Sequence, residues 1–153
     1  MFYPVVLTLH NIVRWLVVIA AILAIVRAIN GLAFKRGYTQ QDNKVGFWFT
    51  ITMDIQVLLG ILLYFFLSPI TMSAMQNFGG AMGNAAVRFY AVEHILIMIL
   101  ALGVAHMGRS FIRKGSTAPE KHRRTLIWFG LAILLVLIGI PWSRPLLPAV
   151  FGL

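Results

Sequence analysis

The sequence predicts an all-α integral membrane protein folded as one four-helix bundle, and three observations carry that expectation. Apolar residues fill 60% of the 153 positions and charged residues 11%, with mean hydropathy +0.88, whereas soluble domains carry roughly 25% charged residues. Several apolar stretches, broken only by isolated polar residues, reach about 18 residues or more, long enough to cross the hydrocarbon of a bilayer as helices. No ten-residue segment shows the in-out alternation of a membrane β-barrel. A single domain over residues 1–153 follows, with helices at about 5–34, 45–67, 88–110 and 125–140.

The first helix, from about Val5 to Phe34, is interrupted by His10, Arg14, Arg27 and Asn30, and Gly31 with Lys35-Arg36-Gly37 marks its end. It lacks a basic leader and is too long for a signal peptide, so it is expected to be retained. The second, about Val45 to Leu67, opens on Phe47-Trp48-Phe49 and closes on Tyr64-Phe65-Phe66, a placing of aromatics that fits two membrane interfaces. Ser68-Pro69 then reads as a helix cap with proline at the first helical position. A short interfacial helix over Ile70 to Phe78 is expected, broken by Gly79-Gly80. The third helix runs from Arg88 to Ser110, and the fourth from about Thr125 to Ile140, ahead of Pro141, Pro145 and Pro148.

Charge sets the orientation. The net charge of +9 comes from basic residues beside apolar runs, a membrane pattern that gives no reason to invoke nucleic acid. Lys35, Arg36 and Lys44 follow helix one, and Arg109, Arg113, Lys114, Lys121, Arg123 and Arg124 follow helix three, while residues 68–86 carry no charge. Both basic connections therefore belong in the cytoplasm, with the N-terminus and C-terminus both outside. There is no cysteine, so thiolate metal sites, iron–sulfur clusters and covalently attached haem are excluded, and any metal must be held by His, Met or carboxylate.

Ionisable residues inside apolar spans are the functional candidates. His10 and His94 each sit about six residues inside the outer end of their helices, a matched depth that suits a bis-histidine haem b with one axial nitrogen from each of two facing helices. Arg14, one turn below His10, and Arg88 at the outer rim could neutralise the haem propionates. Alternatively, His10 is interfacial and Arg14 forms an ion pair with Glu93. His106 lies 12 residues beyond His94, about 18 Å along the helix, with no second membrane-embedded histidine at its depth. It reads as a proton-exchanging, hydrogen-bonding or simply interfacial residue. Asp54, near mid-span, is expected to pair with Arg27, or else to act as a proton-conducting or quinone-contacting carboxylate with His106 as relay. Met72, Met75, Met82 and Met98 leave copper as a minor option, beside methionine's ordinary role as filler.

Leu9-His10 with Arg14-Trp15, Asp54-Ile55-Gln56 leading to Leu58-Leu59-Gly60 and Leu63-Tyr64, Arg88-Phe89 with Glu93-His94, and the closing Ile140-Pro141-Trp142 touch all four helices. Together they resemble a family of small bacterial four-helix membrane proteins described as cytochrome-b-like. The resemblance implies a non-covalent haem b on His10 and His94, placement in the bacterial inner membrane, and electron exchange with quinone or a larger respiratory or photosynthetic complex. The chain departs from the family at Asp54, which stands where some relatives carry His. The expected role is an electron carrier or complex subunit more than a stand-alone enzyme. The competing expectation is a cofactor-free accessory subunit, packed against other membrane subunits or a second copy of itself. Transport through Asp54, Glu93 and His106 is disfavoured, because the first helices lack the paired Gly/Pro break of midplane transport sites.

Overall fold

A computed structural model describes residues 2–142. Residues 143–153, including Pro145, Pro148 and the C-terminus, lie outside the described residues. Four helical segments are long and apolar enough to cross a membrane: Phe2–Ala33, Gln40–Leu67, Ala85–Arg113 and Ala118–Gly139. The first is α1. The second is α2 (Gln40–Leu62), which runs on into a π-helical turn at Leu63–Leu67. Three short helices follow: α3 (Pro69–Gln76), α4 (Phe78–Gly83) and α5 (Ala85–Arg88). A second π-turn, Phe89–Glu93, leads from α5 into α6 (His94–Arg113), and α7 (Ala118–Gly139) completes the bundle.

Two helix starts lie earlier than the hydropathy pattern places them. Thr39 caps α2 in a reciprocal box, its side chain accepting from the Asp42 N–H while Asp42 accepts from the Thr39 N–H, so the helix begins at Gln40 rather than near residue 45. Thr117 caps α7 in a similar way, with Pro119 in the first turn, so the basic run through Arg124 is helical rather than a loop. The connection after α2 also differs from expectation. Pro69 does open a helix after Ser68, but Asn77 ends it, and Gly79-Gly80 fall inside α4.

Short connections force sequential neighbours to pack side by side. α1 packs against α2 and α7, and α6 packs against α7 and α2, so the four long helices close a ring with α1 and α6 diagonally opposed. The ring draws tight because its inner faces are small: Ala21, Ala24, Ala28 and Gly31 on α1, Ala101, Ala105 and Gly108 on α6, and Ala132 on α7 are all buried. Small residues let helix backbones approach closely, which is how helices associate where lipid removes the hydrophobic drive between them. At Gly31 a Cβ would stand 2.3 Å from His122 Nε2, and at Gly108 one would stand 2.4 Å from the Trp128 Cβ. Neither position has space for a side chain. Phe49 and Phe129 fill the centre, their rings 4.8 Å apart.

Candidate functional site

Above the packed centre, towards the uncharged loop, the ring encloses a cavity of about 290 Å³, near the lower end of ligand-pocket sizes. Its walls are mostly apolar, among them Leu7, Val17, Met53, Val57, Met98 and Val136, and its polar groups include His10, Arg14, Gln56 and His94. Both π-turns border it through Tyr64 and Tyr90. Such turns insert one residue into a helix and are frequent at functional sites. Here Tyr64 in the first donates its hydroxyl to the Ala91 carbonyl in the second at 2.7 Å, tying the two together. Thr71 on α3 donates to the Tyr64 carbonyl at 2.7 Å, so the loop is fastened to the same rim.

His10 and His94 meet across this cavity, with ring centroids 6.4 Å apart and planes inclined at 67°. The His94 ring is oriented by α7, since its Nδ1 lies 2.8 Å from the Gly139 carbonyl. A carbonyl can only accept, so Nδ1 carries the proton and the neutral ring offers Nε2 as its lone-pair nitrogen. His10 is held from α2, with Nε2 3.0 Å from the Gln56 amide nitrogen. Its Nδ1 and the Gln56 Oε1 are buried without a hydrogen-bond partner. Arg14 is buried at 7% exposure on the wall below His10, its guanidinium 5.7 Å from the Trp15 ring.

The charged candidates settle elsewhere. Arg88 does not line the cavity: it donates to Glu93 at 2.8 Å, and both side chains are more than two-fifths exposed. The five-residue spacing explains the pair, because a π-turn stacks residue i over i+5 where an α-turn would not. That engagement also removes Glu93 as the partner expected for Arg14. Arg27 pairs with Asp42 at 2.7 Å, not with Asp54. Asp42 sits in the first turn of α2, directly across the short connection from α1, and there it also completes the capping box with Thr39. Asp54 instead accepts from His106 Nε2 at 2.8 Å, across the α2–α6 contact.

Comparison with known proteins returns nothing. No family model matches the chain, and no curated protein or solved structure shows significant similarity to it. Among the described residues no group of three or more His, Cys, Asp or Glu side chains converges to hold a metal ion, and the imidazoles on the pocket wall are those of His10 and His94.

Two participants in the pocket, and one buried residue outside it, escape a reading by composition. Gln56 holds His10, but a lone amide carries no signature of that contact. The Gly139 carbonyl that orients His94 is backbone. His122, expected in a basic loop, is 1% exposed against Gly31, its ring 5.2 Å from that of Tyr38. The capping pattern Thr117-x-x-Glu120 in the sequence was the signal for it, because it makes residue 122 helical and turns it inward.

Proposed function

We propose that this chain is a multi-pass membrane electron-transfer protein that binds one non-covalent haem b between His10 and His94. The observation that supports the reading is the convergence of two imidazoles from diagonally opposed helices on one apolar-walled cavity, 6.4 Å between centroids. His10 and His94 would be the residues that hold the iron, one from each of two opposed helices.

The residues present fit such a group on chemical grounds. His94 has the second hydrogen bond typical of metal-ligating histidine, Nδ1–H to a backbone carbonyl, which fixes the tautomer and leaves Nε2 for the iron. His10 has a buried ring nitrogen with no partner. Half a turn of the Gln56 amide would exchange donor for acceptor at Nε2 and leave Nδ1 as a lone pair. Arg14 supplies a buried positive charge for the anionic edge of the cofactor. A bound haem contributes reversible one-electron exchange at its iron, and the protein contributes ligation, orientation and a dry enclosure.

The two basic connections face the cytoplasm in this reading, which puts the pocket in the outer leaflet of a bacterial inner membrane. Quinone, a larger respiratory or photosynthetic complex, or a second copy of the chain are the partners it admits. The test is a pyridine-haemochrome assay on purified wild type and on His94→Ala, with helix content followed by circular dichroism. Haem is expected at about one per chain in wild type and to be lost in the variant with helicity retained. A second reading, a cofactor-free accessory subunit, is favoured by the hydrogen bond that Gln56 already makes to the His10 ring. A folded wild type that stays colourless after reconstitution with haem would leave that reading in front.

A further inference from the structure

We infer that the cleft between α2 and α6 at the basic end of the bundle is a binding site for the phosphate headgroup of an anionic phospholipid. The inference rests on the membrane-spanning reading of the four helices but not on the haem. The cleft, about 560 Å³, is lined on the α2 side by Phe47, Thr50, Ile51 and Asp54 and on the α6 side by His106, Arg109, Ser110, Arg113 and Lys114. Both sets recur at three- and four-residue spacing, so each is one face of its helix.

Charge identifies the occupant. Arg109, Arg113 and Lys114 place three cations against one carboxylate, Asp54, and that carboxylate is already engaged by His106 at 2.8 Å. Elsewhere Arg27, Arg88 and Arg124 each hold a carboxylate. Among the described residues Arg109 and Arg113 hold none, although they are one turn apart on one helix, a like-charge spacing that disfavours the fold until an anion neutralises it. Arg109 is fixed in place, donating to the Asn43 carbonyl at 3.1 Å and lying 5.4 Å from the Phe47 ring. Arg113 and Lys114 are exposed at the mouth.

Apolar flanks distinguish a lipid from a soluble phosphate. Phe47 is 45% and Phe111 42% exposed beside the cationic mouth, a surface for acyl chains below a headgroup held at the interface. Basic pockets between membrane helices on the cytoplasmic side are known to take anionic headgroups, each nearby Lys or Arg adding roughly 1 kcal/mol, which is about fivefold in affinity.

The test is native mass spectrometry of the full chain in detergent, titrated with phosphatidylglycerol and with phosphatidylcholine of the same acyl chains. Phosphatidylglycerol is expected to bind more tightly, and the double substitution Arg113→Gln/Lys114→Gln to weaken it about thirtyfold. Asp54→Asn, which removes the opposing charge and leaves the cations in place, is expected to tighten binding, and it reads the site even if the double variant does not fold. Equal binding of the two lipids, an unchanged double variant, or unchanged or weakened binding in Asp54→Asn would each overturn the inference. So would inorganic phosphate protecting the protein against thermal unfolding as well as phosphatidylglycerol does at equal concentration, since the site would then bind a free anion.

Discussion

At the basic end of the bundle, α1 and α7 approach until the Gly31 backbone lies against the His122 ring; at the loop end the same two helices help to enclose a cavity. The contrast follows from side-chain size. Ala21, Ala24, Ala28 and Gly31 line the tight part of α1, whereas Leu7, His10 and Arg14 line the open part. Polar groups follow the same division. Towards the basic end, Arg27 with Asp42 and His106 with Asp54 are paired through side chains alone. Around the cavity, His10 Nδ1 and Gln56 Oε1 are buried and unmatched. Buried polar atoms are nearly always satisfied in folded proteins, and these two belong to side chains that line the cavity. His122 has unmatched nitrogens too, but it lies in tight packing with no such void, and there the missing partners are a cost the fold bears.

If tight packing sets the stability of the basic end, Gly31→Ala should be strongly damaging. Its Cβ would stand 2.3 Å from His122 Nε2, and overpacking of this kind costs about 3 kcal/mol. Thermal unfolding in detergent should show that loss, and His122→Ala combined with Gly31→Ala should recover most of it. A loss unchanged in the double variant would show that the contact is not the cause. Asp42→Ala comes next. Asp42 accepts from the Thr39 N–H and from Arg27, both at 2.7 Å, with its side chain 6% exposed, so its removal should cost about 2 kcal/mol. Arg27→Ala should cost less, because Arg27 is the more exposed partner and its loss leaves the cap intact. Equal losses for the two would assign the whole effect to the ion pair.

How far the sequence carried this division depends on the kind of signal. Four long apolar helices were legible because the apolar stretches are long and the charged residues cluster in two connections. The starts of α2 and α7 were obscured by Lys44 and by the run Lys121 to Arg124, which read as loop by composition although Thr39-x-x-Asp42 and Thr117-x-x-Glu120 announce caps. The partner of Arg27 was misplaced because depth along a span cannot choose between Asp54 and Asp42. That choice depends on how short the connection between α1 and α2 is. His10 and His94 stood out as imidazoles inside apolar helices. Gln56 and the Gly139 carbonyl did not, since an amide or a backbone carbonyl becomes part of a site only through the fold.

The smallest expected effect separates the pocket from the packing most cleanly, because Gly60→Ala should damage the first while strengthening the second. At Gly60 an added Cβ would lie 3.4 Å from His10 Cε1, an ordinary contact, and at Gly130 it would meet nothing within 4 Å. Both glycines are inside helices, where alanine is favoured by roughly 0.5–1 kcal/mol, so Gly60→Ala and Gly130→Ala should each raise the unfolding temperature slightly. They should part company in the haem assay. Gly60 borders the ring proposed to hold the iron, and a methyl group there narrows the space beside His10, so Gly60→Ala should stabilise the chain while lowering its haem content. Gly130→Ala should stabilise without that loss. Full haem retention in Gly60→Ala would move the cofactor away from the α2 side of His10, whereas loss in both variants would show that the assay follows helix stability and not the pocket.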